Sequence, residues 1–404
     1  MNVVVAVLEI IRQFPLTPPL SKGEKGDLTG LGPETRFIED GVRRQGGKRM
    51  SAPTGPRSSH RDVKSFDISM SSNSRIAVCG LLVLAIGLIG CNSGIDNVYK
   101  ESKIVMGTVV EITVAYRSEE RARTAIKEAM GEFQRIDDLM SSYKPDSVVS
   151  RVNQSGSAGK VPVGEEVFRV VRESVAIGDA SGGAFDPTIW PVSQLWGFDH
   201  GGMTPIPELL SNKLLLVGYR KLIFDDSSHS VGFIVNGMGL DLGAIAKGWA
   251  IDRAMEKLMA RGIRNAIIDA GGDLRVIGAR PGKDFWRIGV QHPRDPGALI
   301  FNFELRDTAI VTSGDYERFF IADGVRYHHI LDPATGQPAR GCQSVTVLAP
   351  TAAEADACAT AAFVLGPSQG LAFLRARPGV RGVIVGADGQ VHWTDEALAE
   401  MAHR

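Results

Sequence analysis

From about residue 100 onward, the hydrophobic positions follow two different periods. Residues 103–116 alternate apolar and polar side chains and are rich in β-branched residues, which predicts a strand. Residues 119–139 carry apolar side chains three and four positions apart, which predicts an amphipathic helix. The same patterns predict helices over 165–181, 246–261 and 352–365, and strands over 222–224, 239–242, 265–269, 274–278, 286–290, 309–313 and 344–348. Since no linker rich in Pro, Gly or Ser divides this part, residues 100–404 are expected to form one mixed α/β domain.

The amino-terminal part contains a continuous apolar run over residues 76–90. At about fifteen residues it is short for a helix that spans the hydrocarbon core, and it fits the core of a signal peptide better. The run ends in Leu-Ile-Gly before Cys91, which resembles the lipobox of bacterial lipoproteins. This predicts a signal peptide over 70–91 and lipidation of Cys91; a buried core helix and a simple membrane anchor are the alternatives.

The segments on either side of this signal have separate interpretations. Residues 1–69 are rich in Pro, Gly, Ser, Lys and Arg, so we expect a disordered extension or a misassigned start, with translation beginning at Met70 or Met50. Residues 92–99 are expected to be a linker. Because Asn92 rather than an Asp follows the cysteine, the resemblance weakly favours the outer membrane; a cell-envelope protein anchored toward the periplasm is predicted.

Composition and charge exclude few functions. The chain has 45 Lys+Arg against 46 Asp+Glu, so it lacks the basic excess of a typical nucleic-acid-binding protein, and no nucleic-acid partner is expected. Of its four cysteines, Cys342 and Cys358 lie far downstream with neither CxxC spacing nor a neighbouring histidine, which argues against a zinc site. Whether they form a disulfide stays open at this point.

Two glycine-containing stretches are candidates for binding an anionic ligand. Residues 239–247 place Asp241 and a Gly turn at the start of a predicted helix that contains Lys247, and free N–H groups at a helix start suit phosphate. A plain turn with a surface lysine is equally compatible. Residues 265–273 end a predicted strand in Asp269, Gly271, Gly272 and Asp273, where the glycines permit close backbone approach to a ligand or simply make a turn.

Residues 183–198 gather four aromatic side chains around Asp186 and two prolines. Such a loop can form the wall of a pocket for a flat ring, or its aromatic residues can fill a core. Residues 327–336 offer His328 and His329 before an Asp-Pro turn at Asp332, and an adjacent histidine pair is either a catalytic candidate or structural.

Asp356 and Thr360 lie four residues apart in a predicted helix, and therefore on one face of it. A carboxylate and a hydroxyl placed in this way are suited to share one hard cation. The alternative is an Asp on the helix surface and a Thr bonded to its own backbone.

Taken together, these motifs closely resemble, in their order and residue identities, those of the ApbE family, the FAD:protein FMN transferases once described as thiamine-biosynthesis lipoproteins. The resemblance runs from about residue 100 to the carboxyl end. It rests on Met106-Gly107-Thr108, Leu139-Met140-Ser141-Ser142-Tyr143, Gly183-Ala184-Phe185-Asp186-Pro187, Asp241-Leu242-Gly243-Ala244-Ile245-Ala246-Lys247-Gly248, Asp269-Ala270-Gly271-Gly272-Asp273, Thr312-Ser313-Gly314 with Tyr316, His329-Ile330-Leu331-Asp332-Pro333 with Thr335-Gly336, and Ala355-Asp356-Ala357 with Ala359-Thr360-Ala361.

The resemblance implies a single α/β, T-fold-like flavin transferase domain and assigns roles by position. Positions that contact FAD in the family match Met106, Ala184, Phe185, Asp186, Asp241 and Lys247, and a turn close to FAD matches Gly271, Gly272 and Asp273. The Mg²⁺ site of the family matches the carbonyl of Ala244 and the side chains of Asp356 and Thr360. Ala353 stands where some members carry a further Asp, which puts a second metal in doubt. His329 matches the histidine next to the reaction centre.

The implied activity is Mg²⁺-dependent transfer of FMN from FAD, the substrate, to a threonine hydroxyl, with release of AMP. Acceptors in the family are exported loops of electron-transfer proteins, such as Na⁺-pumping quinone reductase, with the threonine in a Ser/Thr-Gly-Ala-Thr-like motif. Two alternatives remain: an Mg²⁺-dependent FAD pyrophosphatase, in which water replaces the threonine, and a non-enzymatic periplasmic flavin carrier.

Overall fold

The computed structural model describes residues 96–402. Their helices are α1 (Glu119–Met140), α2 (Val148–Ser155), α3 (Gly164–Ala180), α4 (Trp190–Trp196), α5 (Pro207–Leu214), α6 (Gly243–Ala260), α7 (Ala352–Arg375) and α8 (Glu396–Met401), with 3-10 turns at Phe198–His200 and Tyr219–Lys221. Their strands are β1 (Asn97–Val105), β2 (Thr108–Tyr116), β3 (Val161–Pro162), β4 (Leu222–Asp225), β5 (Ser230–Phe233), β6 (Asn265–Ala270), β7 (Asp273–Ile277), β8 (Trp286–His292), β9 (Asp295–Leu305), β10 (Thr308–Gly314), β11 (Phe319–Ala322), β12 (Val325–His328), β13 (Cys342–Ala349), β14 (Arg381–Gly386) and β15 (Val391–Trp393). The mixed α/β class predicted from the sequence is confirmed.

The main sheet has eight strands in the order β1-β2-β6-β7-β10-β13-β14-β15, and each neighbouring pair is antiparallel. Helices α6 and α7 pack against each other, and α7 lies on β10 and β13. The β8–β9 hairpin covers the opposite face of the sheet. Alternate residues of β10 therefore enter different cores: Ala309 and Val311 join the helix-side cluster and Ile310 joins the hairpin side.

The start of the domain differs from the sequence prediction. Residues 103–116 form most of two antiparallel strands, and β1 begins at Asn97, inside the predicted linker. The reason lies at Met106 and Gly107, whose φ values of 54° and 71° make a two-residue turn of the kind that joins hairpin strands. The outer strand β1 is largely exposed, so its apolar pattern is weak and its start was missed.

The strand predicted over 239–242 is wrong, because this stretch pairs with no strand. A side chain replaces the strand partner: Asn153 accepts the N–H of Leu240 at 2.6 Å and donates to its carbonyl at 2.9 Å. The N–H of Asp241 donates to the carbonyl of Pro187 at 2.7 Å. These bonds anchor the segment that leads into α6.

Helix α7 continues beyond the predicted end at residue 365. Gly366, with φ 75°, and Pro367 kink it there, which is where the sequence pattern broke off. Among the described residues, α7 is the one helix long and apolar enough to cross a membrane, and 61% of its apolar window is buried inside the protein. Cys342 and Cys358 are free and buried. The predicted signal peptide, Cys91 and residues 1–69 lie outside the described residues.

Candidate active site

Three of the predicted motifs meet at one end of the main sheet. The β6–β7 turn closes with Ala270 opposite Asp273, and β10 ends at Gly314 on the same side. Gly271 has a φ of 67°, and a Cβ there would lie 2.2 Å from Oγ1 of Thr108, so only glycine lets this turn pack on the start of β2. The Met106–Gly107 turn is thereby brought next to the Gly271–Gly272 turn.

A buried ionic cluster, here called the site cluster, joins α6, β7 and α7 and consists of Lys247, Asp273 and Asp356. The ammonium of Lys247 lies 2.5 Å from Oδ2 of Asp273 and 3.5 Å from Oδ1 of Asp356. Oδ2 of Asp356 accepts the N–H of Gly248 at 3.1 Å. A Cβ on Gly248 would lie 2.2 Å from the carbonyl oxygen of Ala352, so this glycine lets the two helices approach closely enough to form the cluster.

The site cluster holds two acids for one lysine. Burial raises the pKa of Asp273, which the charge of Lys247 lowers and the charge of Asp356 raises further. Burial would lower the pKa of Lys247, but Asp273 and Asp356 together raise it above its ordinary value. A buried carboxylate whose negative charge is only partly compensated favours the binding of another cation.

The predicted metal ligands supply oxygen donors only. Thr360 follows Asp356 by one helical turn, and its hydroxyl lies 3.5 Å from the hydroxyl of Ser313 at the end of β10. Ala244 lies in the first turn of α6. Residues 96–402 contain no group of three His, Cys, Asp or Glu side chains that could hold a metal. A carboxylate, a hydroxyl and a carbonyl fit Mg²⁺, which usually completes its shell with water and substrate phosphate.

The two adjacent histidines have different environments. His328 is buried, its Nε2 bonds the carbonyl of Ala339 at 2.7 Å, and its Nδ1 accepts the N–H of Ile330 at 3.3 Å. The N–H of His329 donates to the carbonyl of Arg318 at 3.0 Å, while its buried Nδ1 has no partner within the described part of the chain. Burial, aided by the charge of Arg318, lowers the pKa of His329 to about 3. His329 is thus a neutral imidazole with a free ring nitrogen.

Asp241 lies just before α6. Its Oδ1 accepts the N–H of Gly243 at 2.9 Å and its Oδ2 lies 3.4 Å from the hydroxyl of Ser193. Burial raises the pKa of Asp241. Besides these two contacts, the carboxylate of Asp241 can still accept hydrogen bonds from a ligand.

Comparison with known proteins agrees with this arrangement. The model of the ApbE family matches residues 106–384. This protein belongs to the ApbE family. An FAD:protein FMN transferase of Treponema pallidum is 33% identical over 337 residues, covering 78% of this chain and 92% of the relative. The ApbE protein of Thermotoga maritima has a solved structure with 37% identity and a TM-score of 0.71, covering 76% of this chain and 100% of that chain. A flavin transferase ApbE from Vibrio cholerae gives 30% identity and a TM-score of 0.67, covering 75% and 99%.

The family resemblance inferred from the motifs is therefore confirmed, and with it the expectation of a transferase enzyme. The roles of the individual site residues stay predictions, and the structure shows where each of these residues lies. Lys247, Asp273, Asp356 and Thr360 lie on elements that converge at one sheet end, and the N–H of His329 bonds Arg318 in the segment after β10. Met106 and the glycine turn border the same end.

The Ala184–Asp186 stretch of this ApbE-family chain is more internal than an FAD contact suggests. Phe185 is buried in the helix-side core. Oδ1 of Asp186 accepts the N–H and hydroxyl of Thr188 at 2.8 and 2.6 Å, and Oδ2 accepts the N–H of Tyr219 at 3.0 Å. Asp186 thus organises its own loop, whose Pro187 carbonyl accepts the N–H of Asp241. A contact with FAD remains a prediction for this stretch.

The neighbouring aromatic residues divide between the two alternatives left open by the sequence. Trp196 fills a core, and its Nε1 donates to the carbonyl of Gly336 at 2.8 Å. Trp190 instead meets Tyr143 edge-on, with ring centroids 5.2 Å apart, and Tyr143 is exposed. Asp332, which follows the two histidines in sequence, accepts hydrogen bonds from the N–H of Ala334 and the hydroxyl of Thr335 and closes its own turn.

Sequence reasoning gave no role to Ser313, Arg318, Tyr143 or Asp199. Ser313 lies near the end of β10, and Arg318 lies in the polar segment that follows this strand. Their signal was present, since a polar segment directly after a buried strand lies at a sheet end. Asp199 lies in a short 3-10 turn whose approach to Arg318 spans 119 residues of sequence, and no local pattern predicts it.

Proposed function

We propose that this protein transfers FMN from FAD to a threonine hydroxyl of exported acceptor proteins, with Mg²⁺ and with release of AMP. The observation that carries the proposal is the free Nδ1 of His329 at the sheet end that also holds the site cluster. The names of the relatives, FAD:protein FMN transferase, support the substrate and the transferred group.

The reaction balances with residues of this chain. The threonine O–H gives its proton to His329, its oxygen forms a bond to the FMN phosphorus, and the bond from that phosphorus to the AMP phosphate breaks, so that AMP leaves. Mg²⁺, when held by the Ala244 carbonyl, Asp356 and Thr360, would neutralise diphosphate charge. Asp356 is itself held by the N–H of Gly248, which fixes its carboxylate relative to α6.

The lowered pKa of His329 is part of this proposal. A neutral imidazole is the form that can accept a proton, but with a pKa of about 3 it is a weak base. The positive charges of Arg318 and Lys247 contribute to that lowering. A bound diphosphate offsets these charges, so substrate binding is expected to raise the pKa of His329 toward its ordinary range and make it a better base.

Export and lipid anchoring are proposed from the sequence and suit the topology. Asn97 pairs with Tyr116, and Ala115 pairs with Asn265, at the sheet end opposite the Ala270–Asp273 turn. Cys91 precedes Asn97 by six residues. An anchor there would attach the end of the sheet remote from the site and leave the site open to acceptors.

The transfer experiment uses the purified protein, FAD, Mg²⁺ and an acceptor fragment that carries the Ser/Thr-Gly-Ala-Thr-like motif. Intact-mass analysis should show the acceptor heavier by FMN less water, and AMP should form in equal amount. An acceptor with its threonine replaced by alanine should stay unmodified. Free FMN without acceptor modification would favour the pyrophosphatase, and unchanged FAD would favour the carrier.

Anchoring is tested separately by expression from Met70 in a bacterium. The protein is expected in the membrane fraction with incorporated labelled palmitate, and Cys91→Ala should lose the label. Label that persists in Cys91→Ala would contradict the lipidation site.

A further inference from the structure

Arg318 lies in the segment after β10, and its side chain reaches toward Asp199 and the Met106–Gly107 turn. Its Nη1 lies 3.4 Å from Oδ1 of Asp199, and its Nη2 lies 3.7 Å from where a Cβ of Gly107 would be. Its main-chain carbonyl accepts the N–H of His329 at 3.0 Å. The guanidinium thus faces the Met106–Gly107 turn, while the backbone of the same residue fixes the histidine.

The charge of Arg318 is less compensated than that of Lys247. Lys247 lies between two buried carboxylates and has a 27% exposed side chain. Within the part of the chain that the structure describes, Arg318 has one ion pair, the 3.4 Å contact to Asp199, and its side chain is 45% exposed. An anionic ligand that enters this region therefore meets a guanidinium whose donors are mostly unengaged.

The field of Arg318 acts on several groups of the site. Its charge is among the causes that lower the pKa of His329, and it also acts on Asp241 and Tyr143. These groups come from three separate segments of the chain. Arg318 is therefore within electrostatic reach of the histidine, of the approach to α6 and of the exposed Tyr143.

We propose that Arg318 binds the diphosphate of the dinucleotide substrate and holds it beside His329. A guanidinium presents a planar set of donors that matches two phosphate oxygens, which an ammonium cannot do in the same way. The inference rests on the proposed function only for the identity of the dinucleotide. It assigns to Lys247 the role of ordering Asp273 and Asp356, and to Arg318 the direct contact with the anion.

The test is equilibrium binding of two flavins, followed by flavin fluorescence in the absence of acceptor. FAD carries the diphosphate, and riboflavin carries the ring without any phosphate. Arg318→Gln should weaken FAD binding by about tenfold or more, as expected for loss of a charge-assisted hydrogen bond, and leave riboflavin binding within about twofold. Arg318→Lys, which keeps the charge but not the planar donors, should fall between the two. Inorganic pyrophosphate should displace FAD from the wild type more effectively than from Arg318→Gln.

Arg287→Gln is the matched control, because Arg287 is also exposed and paired with one acid, Glu304, but lies on the β8–β9 hairpin. It should change the binding of neither FAD nor riboflavin. Equal weakening of FAD and riboflavin in Arg318→Gln would show a general disturbance of the pocket and overturn the proposal, as would unchanged FAD binding. The contrast between the flavins does not depend on turnover, so it can hold even if FMN transfer itself is not observed.

Discussion

Helices α6 and α7 and strand β7 meet in two buried ionic clusters that lie close together. The site cluster consists of Lys247, Asp273 and Asp356. A second one, here called the capping cluster, consists of Asp252 and Arg275 together with the first residues of α7. Both use one residue from α6 and one from β7, and both contain carboxylates that are at most 4% exposed.

The capping cluster is internally complete. Asp252 lies 2.5 Å from Nη1 of Arg275, and its two oxygens accept the N–H groups of Ala352 at 2.9 Å and Ala353 at 3.0 Å. One acid faces one base, and the carboxylate satisfies N–H groups at the start of a helix, where negative charge is favoured. Ala353 has its N–H committed to this acid, and its methyl side chain offers no further metal ligand.

The site cluster is incomplete by the same criteria. Two acids share one lysine, and the hydroxyls of Thr360 and Ser313 beside it are 3.5 Å apart, at the limit of a hydrogen bond. Burial is therefore common to both clusters and does not distinguish them. What distinguishes them is whether charge and hydrogen bonds balance within the protein, and the unbalanced cluster is the one at which a ligand is expected.

The largest effect on FMN transfer is expected from Asp356→Ala. Asp356 is the one carboxylate among the proposed Mg²⁺ ligands, so its loss should reduce transfer at limiting Mg²⁺ by at least about 100-fold, more than loss of a residue that only hydrogen-bonds a metal ligand. FAD should still bind. Transfer is measured across a Mg²⁺ titration, with FAD binding followed separately by fluorescence. Unchanged transfer at limiting Mg²⁺ would remove Asp356 from the metal site.

His329→Asn should lower transfer by roughly 10² to 10⁴, because a threonine hydroxyl is a poor nucleophile without a base. FAD affinity should stay nearly intact. His328→Asn is the matched control: His328 bonds Ala339 and Ile330, so its loss is expected to affect stability more than transfer per folded molecule. Equal loss of transfer in both variants, or loss of FAD binding in His329→Asn, would mean that His329 is not the base.

Asp252→Asn tests the capping cluster and should have a smaller effect on transfer. It leaves the buried charge of Arg275 without its partner, which typically costs about 3–5 kcal/mol of unfolding free energy. Urea denaturation measures that loss, and transfer is then compared per folded molecule, where less than a tenfold change is expected. A loss of transfer as large as that of Asp356→Ala, with unchanged stability, would contradict the division into two clusters.

The sequence was sufficient for several local features, although it missed the two-residue turn at Met106 and Gly107. The four-residue spacing of Asp356 and Thr360 predicted one helix face, and α7 carries both. The sequence left the two adjacent histidines open between a catalytic and a structural role, and the structure gives the two side chains separate surroundings. Glycines at 271 and 272 predicted a turn, which the structure confirms.

Interactions between distant residues could not be predicted in this way. The alternating pattern before α6 suggested a strand, but the backbone of Leu240 bonds the side chain of Asn153, 87 residues away in sequence, instead of a neighbouring strand. The ion pair of Arg318 with Asp199 spans 119 residues. Strand β9 was missed because its first residues are exposed and its pairing with β8 shifts register near Gln291.

The smallest expected effect is a pH dependence of stability in the free protein. The pKa of His329 is about 3 in the folded state, against an ordinary value near 6.5 once unfolded. Above about pH 6.5 both states are neutral and His329 has no effect on the unfolding equilibrium. As pH falls below that value, His329 binds a proton in the unfolded state but not in the folded state. The unfolding free energy therefore declines toward pH 3, by about 1.4 kcal/mol per pH unit.

The total pH profile does not isolate this effect, because burial raises the pKa of Asp269 to about 6 and so favours the folded state at low pH. The difference between the wild type and His329→Asn does isolate it. Between pH 6.5 and 5.5 the wild type should lose about 1 kcal/mol more unfolding free energy than the variant, measured by urea denaturation at fixed ionic strength without FAD or Mg²⁺. Asp252→Asn should run parallel to the wild type over this interval, since it leaves the surroundings of His329 unchanged. Parallel curves for His329→Asn as well would mean that His329 is accessible to protons in the folded protein, and its free ring nitrogen would then be solvated instead of held ready for a substrate hydroxyl.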